Sequence, residues 1–393
     1  MSAVLRMMLV LTAGGLMIMP AACDEGAEIP EGLPLREALA TARPGATVYV
    51  APGVYEGGLH LRDLQGTEDA PIVIAGADPE NPPVIEGASG MHLVNPTHVE
   101  LRDLVLRGSG ANGLNIDDGG DHATPAHHIT LRRLRVEDVG PEGNLDGIKL
   151  SGVTDFRVLD CTIERWGSGG SALDMVGCHR GLIEGCTFRH EEGLTTSTGV
   201  QNKGGTSEIV IRGNHFEHAG ARAVNIGGST GLQYFRPEPQ GYEAKEITVE
   251  GNVFVGSLAP VAFVGCDGST VRFNTMYMPG RWALRILQET RESGFVPARD
   301  GVFEDNIIVF RSDAWSEGGV NIGPETAPGT FGFARNVWYC VDRPELGPRL
   351  PTDEQDGLVG EDPLLVEPEA GDFGLQPDSP AEGRGHTALP DTE

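Results

Sequence analysis

The feature that most constrains this chain is a repeat whose period varies. Nine segments share one form, among them VELRDLVLRG (99–108), ITLRRLRVED (129–138), FRVLDCTIER (156–165), IVIRGNHFEH (209–218) and ITVEGNVFVG (247–256). Each is a short strand of alternating apolar residues, a two-residue kink and a second short strand. The kink column reads Leu104, Leu134, Cys161, Cys186, Asn214, Asn252, Asn274, Asn306 and Asn336, at spacings of 30, 27, 25, 28, 38, 22, 32 and 30 residues. A fixed core pattern at irregular spacing describes coils whose loops vary while their strands stay in step. A second strand family follows at a steady offset, as in GLNID (113–117), GIKLS (147–151), ALDMV (172–176), GVQNK (199–203), AVNIG (223–227) and ALRIL (283–287). Three short strands per turn of about 25 residues, with no helices between them, predict an all-β fold, a right-handed parallel β-helix of about 9–11 coils. In that fold the Asn column is an inward ladder at the bend, each amide bonding to the next coil, and Cys161 over Cys186 extends it.

The same pattern divides the chain. Residues 1–23 read as a removable leader: Arg6 is the lone positive charge, Met7 to Met19 is an apolar run of 13 residues, and PAAC follows. That run falls short of the roughly 20 residues a spanning helix needs. Ala21-Ala22-Cys23 resembles the end of a bacterial lipobox, with Pro20 where that motif usually has Leu, so Cys23 is the lipidation candidate. Ordinary signal cleavage nearby is the alternative; either one predicts an exported protein, and lipidation of Cys23 adds membrane contact only through a lipid anchor. Residues 24–45 form a linker and an N-terminal cap helix, since PLREALATA (34–42) has apolar residues at helical spacing. The β-helix is expected over 46–342, and 343–393 is an acidic capping tail over the last coil, whose sheet edge would otherwise be open. Cys161, Cys178, Cys186, Cys266 and Cys340 include no Cys-x-x-Cys pair and are too scattered for a disulfide scaffold.

Charge narrows the partners. Lys plus Arg number 29 against 57 acids, a formal charge of -28, which argues against a general nucleic-acid binder. Residues 24–97 carry 12 acids against 3 bases and residues 341–393 carry 14 against 3, whereas 128–225 hold 13 against 11. The near-neutral middle leaves room for one groove that takes an acidic glycan, on a chain expected to be monomeric.

Stacking the second strand family gives an outward column of Asn115, Lys149, Asp174, Gln201, Asn225, Ala262, Arg285 and Asn321. Neighbours in such a column lie about 4.8 Å apart. The polar members suit sugar hydroxyls and carboxylates, and they equally suit a solvated sheet face. Lys149 is expected beside Asp174 on the next coil, a pair of about 0.2–1 kcal/mol, which makes it an orienting or substrate-carboxylate residue rather than a base. Lys203 lies two residues beyond Gln201 with Ser151, Val176 and Gly227 as coil neighbours, so no carboxylate is expected beside it. The insertion TGLQYFRPEPQGYEAK (230–245) carries Tyr234, Phe235 and Tyr242, a candidate wall for sugar stacking.

The opening LREALATARPGATVYVAPGVYEG, the segment GTEDAPIVIAG and the repeated GNxF coils resemble the pectate-lyase-like β-helix superfamily, nearest its alginate-lyase and chondroitinase-B branch. The resemblance spans roughly residues 33–340 and implies a polysaccharide lyase acting by β-elimination. That reaction needs a base for the proton next to the uronate carboxylate, and a cation or metal to neutralise that carboxylate. QNKGGTSEIVIRGNHFEHAG (201–220) resembles the stretch around the family's catalytic lysine, and Lys203 falls on that lysine. Two positions depart from the pattern. Where the family has two calcium-binding Glu residues, seven and five positions before the lysine, this chain has Thr196 and Thr198, and NIGG (225–228) replaces an Arg-His pair. Arg222 and Arg285 are the candidates to supply the missing charge. The competing reading is a non-catalytic envelope protein that binds glycan or acts as a scaffold.

Weaker constellations remain. NIDDGGDH (115–122) places Asp117, Asp118, Asp121 and His122 together, which reads as an oxygen-rich calcium loop or as an acidic surface loop. It resembles the paired acids of polygalacturonases without that family's Gly-His-Gly and Arg-Ile-Lys signatures, since ALRIL ends in Leu287. His127-His128 and His179-Arg180 read as residues of coil-connecting loops.

Overall fold

The computed structural model describes residues 35–87 and 89–389, together with the backbone of the short segments 7–12, 15–20 and 27–29. Cys23 and the ends of the expected leader lie outside the described residues. Among the described residues no helix is long and apolar enough to cross a membrane. The chain divides into two compact units, residues 1–170 and 171–393.

The first unit begins with the helix Leu35–Ala40, which buries Leu35, Ala38 and Leu39 and packs against the strand Leu59–Arg62. Each coil that follows contributes one strand to each of three parallel sheets. The first sheet contains Ile72–Gly76, Thr97–Arg102, Ala126–Arg132 and Val153–Leu159. The second contains Val84–Glu86, Val105–Arg107, Arg135–Glu137 and Thr162–Glu164. The third contains Leu59–Arg62, Met91–Val94, Leu114–Asp117 and Ile148–Ser151. The kink between first and second strands is a left-handed residue, Asp103 (φ 57), Arg133 (φ 48) or Asp160 (φ 55). Asp is among the few residues that adopt this conformation readily. A salt bridge of 2.6 Å from Arg133 to Asp103 ties two successive kinks together.

The second unit repeats this plan. Its first sheet runs from His179–Glu184 through Thr206–Arg212, Ala244–Glu250, Cys266–Arg272, Arg299–Glu304 and Gly332–Ala334. Two further strands, Glu354–Gln355 and Leu358–Val359, pair with Gly332–Ala334 and Val337–Cys340. The coil pattern therefore continues past residue 342, where the sequence reading ends it. Inside, Phe188, Phe216 and Phe254 stack at 4.8 and 4.7 Å between centroids.

The Asn ladder forms as expected. Asn214 Nδ2 donates to Asn252 Oδ1 at 2.9 Å, Asn252 to Asn274 at 3.0 Å, Asn274 to Asn306 at 2.9 Å and Asn306 to Asn336 at 3.0 Å. Asn336 ends the run by donating to Glu354 Oε1 at 2.8 Å, and Glu354 also accepts Trp338 Nε1 at 2.6 Å. The two ends of each amide, donor and acceptor, let every rung serve both neighbours, which an apolar residue at this bend could not do. All five described cysteines are buried.

The acidic tail packs along the side of several coils. Leu365, Phe373 and Ala381 bury themselves against Val253, Tyr277, Ile307, Val309 and Val337, on the outer face of the second sheet. Thr275 Oγ1 lies 2.9 Å from His386 Nδ1, and Gly385 N donates to Asp305 O at 2.8 Å.

Candidate functional site

The third sheet of the second unit comprises Ser171–Val176, Thr198–Lys203, Arg222–Gly227, Ala259–Val264, Leu284–Leu287 and Val320–Ile322. Its register aligns Asp174, Gln201, Asn225, Ala262, Arg285 and Asn321 in one column, as the sequence predicts. Alternation along each strand turns this column away from the interior, where Val200, Val224 and Val261 lie.

The column is not an open sheet face. Asp174, Asn225 and Ala262 are 1%, 2% and 0% exposed. Segments 228–243 and 288–298 fold against the ends of these strands, and Glu243 joins them. This fully buried carboxylate accepts from Gly204 N and Thr230 N at 2.8 Å each and from the Thr230 and Thr290 hydroxyls. Gln288 Oε1 accepts Ala298 N at 2.7 Å within the second segment. The turn between strand and insertion explains the sequence NIGG. At Gly227 (φ +110) an added Cβ would sit 1.7 Å from Val264 O, and at Gly228 it would press on Gln201 and Lys203.

The charged residues lie along this face. Lys203 Nζ is 3.1 Å from Asp174 Oδ1. This corrects the expectation that no carboxylate lies beside Lys203: Asp174 is opposite Gln201, one diagonal step away, and a lysine's four-carbon stem spans that step. Arg222 pairs with Glu289 at 2.7 Å and reaches Asn225 Oδ1 at 3.3 Å. Ser171 Oγ donates to Gln201 Oε1 at 3.3 Å. Arg285 differs from both, for its partners are neutral. It donates to Asn321 Oδ1 at 2.9 Å and lies 4.5 Å over the Trp282 ring. Burial, and next the nearby Arg222 charge, lower its pKa to about 10. Glu317 accepts from Trp282 Nε1 and from Asn321 Nδ2, holding the stacking ring and the amide in place.

Of the insertion aromatics, Tyr234 is exposed, and burial raises the pKa of the half-buried Tyr242 hydroxyl. Phe235 is 1% exposed and packs on Phe295 at 5.4 Å, so it anchors the insertion and is no part of a stacking wall. His179, read from sequence as a loop residue, is on the strand His179–Glu184, with Ser207 Oγ at 2.9 Å and Arg236 O at 3.0 Å. Trp282, Glu289 and Glu243 escaped the sequence reading. Trp282 was within reach of it, three residues before Arg285, whereas nothing local marks Glu243.

In the first unit Asn115 and Lys149 are neighbours in their own third sheet, preceded by His60 and His92. Lys149 Nζ bonds to Asp146 Oδ2 at 3.1 Å. Asp117 accepts His92 Nε2 at 2.6 Å, Asn115 Nδ2 at 3.0 Å and Gly119 N at 2.9 Å. Burial pushes its pKa up, and these bonds outweigh that and hold it below the ordinary value. Asp118 accepts Gly120 N and Asp121 accepts Ala123 N, each closing its own turn. The three carboxylates do not converge as calcium ligands would. Among the described residues, the one group of three His, Cys, Asp or Glu ligands within mutual metal reach is His98, His127 and His128. At the positions where the resemblance implies calcium-binding Glu, Thr196 and the buried Thr198 offer no carboxylate, and the nearby Asp174 is ion-paired with Lys203. The donor set does not fit calcium.

The family model described as a right handed beta helix region matches residues 89–276. The chain folds as a right-handed β-helix. Its fold is shared with the alginate lyase from Paenibacillus sp. str. FPU-7, at 18% identity over 73% of this chain and 96% of that one, with a TM-score of 0.50. A PL6 family alginate lyase, AlyGC, gives a TM-score of 0.51 at 12% identity over 93% of this chain and 59% of that one. The Streptococcus pneumoniae surface protein and adhesin PfbA is 10% identical over 82% of this chain and 91% of its own, with a TM-score of 0.46. No curated protein matches the chain in sequence.

Proposed function

We propose that this β-helix is an exported glycan-binding protein that takes an acidic polysaccharide on the outer face of the third sheet of its second unit, without cleaving it by lysine-based β-elimination. The observation that carries the reading is Arg285: a half-buried guanidinium with a neutral amide partner, an aromatic ring beneath it and a second guanidinium, Arg222, close enough to lower its pKa. Glu289 already pairs with Arg222, so the charge left with a neutral partner in a partly desolvated place is Arg285; an anion relieves it, and a uronate carboxylate supplies one in a planar form that suits a guanidinium fork. Gln201, Asn321 and the exposed Tyr234 offer further contacts to hydroxyls and sugar rings.

Elimination is disfavoured by the ion pair of Lys203 with Asp174. A base must give up its proton, and here that step would also give up a 3.1 Å ion pair to a buried carboxylate. The alginate lyase among the fold neighbours makes alginate the first glycan to test. The leader of residues 1–23 fits export, with Cys23 as the lipidation point.

The test is calorimetric titration with oligosaccharides of alginate, pectate and glycosaminoglycans, with ultraviolet detection of unsaturated uronates. Arg285→Ala should weaken binding of an acidic oligosaccharide roughly 10–100-fold, the value of a hydrogen bond to a charged group, and no unsaturated product should form. Binding that is indifferent to both Arg285→Ala and Arg222→Ala overturns the assignment. Unsaturated product that disappears in Lys203→Ala restores the lyase reading.

A further inference from the structure

The first sheet of the first unit carries a constellation that the glycan face does not use. His98 lies on Thr97–Arg102, and His127 and His128 lie on the neighbouring strand Ala126–Arg132, where Thr97 is opposite His127. His98 (φ 47) and His128 (φ 56) are both left-handed, each following the paired residues Thr97 and His127, and neither His127 nor His128 is buried. His98 stacks on His128 at 4.3 Å between centroids, with the rings 15° from parallel. His127 Nδ1 is 2.8 Å from His128 Nδ1, so one ring donates its N–H to the other. One ring nitrogen from each of the three lies within 4.8 Å of the other two.

We propose that His98, His127 and His128 form a three-imidazole site for a late first-row divalent transition metal, with zinc as the probe. Three neutral imidazoles are a favoured donor set for such ions. Nitrogens on a tetrahedral zinc at about 2.0–2.1 Å lie about 3.3–3.4 Å apart, so the ion replaces the shared proton of His127 and His128 with a small opening of that pair, while His98 turns out of its stack on His128 to aim a ring nitrogen at the ion. The exposed side of His128 leaves a fourth position for water. Asp155 and Glu68 act electrostatically on His127 and His98, adding negative potential around an incoming cation.

The experiment uses the untagged full chain, stripped with a chelator and titrated with zinc by calorimetry and with cobalt by visible absorption. Wild type should bind one equivalent. His98→Asn and His128→Asn keep a residue that tolerates the left-handed backbone, and His127→Gln keeps the strand. Each should weaken binding by more than about 100-fold, beyond the range for second-shell partners, with an unchanged far-ultraviolet spectrum. His122→Gln, in the adjacent loop, should bind as wild type does. Imidazole resonances of the wild type give a readout that depends on no variant: zinc should shift three of the 11 histidines. Retained affinity in the three cluster variants, shifts at other histidines, or no zinc binding by the folded wild type each overturns the site.

Discussion

Replacing Asn252 with Ala removes a central rung of the ladder, and the structure gives the size of the effect. The Asn252 side chain makes four hydrogen bonds: it accepts from Asn214 N and Asn214 Nδ2, and donates to Ile211 O and Asn274 Oδ1. Two neighbours keep a second partner after the change, since Asn214 Nδ2 still reaches Ile183 O and Asn274 Oδ1 still accepts Asn252 N. The Asn214 backbone N–H loses its acceptor in a fully dry place, which costs about 1–3 kcal/mol, and the other three bonds are worth about 0.5–1.5 kcal/mol each. The total is about 2.5–7.5 kcal/mol, large against the stability of most domains. Asn252→Leu should do no better, although Leu104 and Leu134 occupy the same bend elsewhere, because Asn214 and Asn274 would remain without their rung. Urea unfolding followed by circular dichroism and tryptophan fluorescence measures the loss. A destabilisation below about 1 kcal/mol in Asn252→Ala would refute the view that the ladder is a coupled network.

Other expectations follow from the same structure. His215 and His386 are held below the ordinary 6.5 mainly by burial, and the charge of His215 lowers His386 further. The unfolded chain therefore binds more protons below pH 6.5, and stability should fall as pH drops through that value towards the lower folded pKa. Because His386 docks the tail on Thr275, proteolysis within 343–389 should speed up near pH 5, and a rate equal to that at pH 7.5 counts against this reading. Gly227→Ala should lower the thermal midpoint by several degrees or prevent folding, since it combines a positive φ with a backbone clash; wild-type stability would contradict that geometry. The thiols should resist alkylation until the chain unfolds, Cys266 most of all, as burial pushes its pKa up to about 12.

The solenoid was legible in the sequence because its determinants are local and periodic. Asn214 to Asn336 recur at one place in the coil, and strict alternation sets which side of Gln201 or Arg285 faces out. What hid the site was contact between segments far apart in the chain. Glu243 binds Gly204 and Thr290, 39 and 47 residues away, and no strand pattern foretells that insertions 228–243 and 288–298 will meet at that carboxylate. The Lys203 reading failed for a different reason: stacking strands considers directly opposed neighbours, and Asp174 reaches Lys203 along the diagonal. The histidine cluster was visible as His127-His128, but its third member became apparent only once the register placed His98 beside them.

The most direct test of the glycan face is a crystal structure of the protein with the acidic oligosaccharide that binds it most tightly. A uronate carboxylate on Arg285, with a sugar ring beside Tyr234 and the glycan left uncleaved, is the predicted result. An oligosaccharide seated on another sheet, or bound at Lys203 with Asp174 displaced from it, would contradict the account.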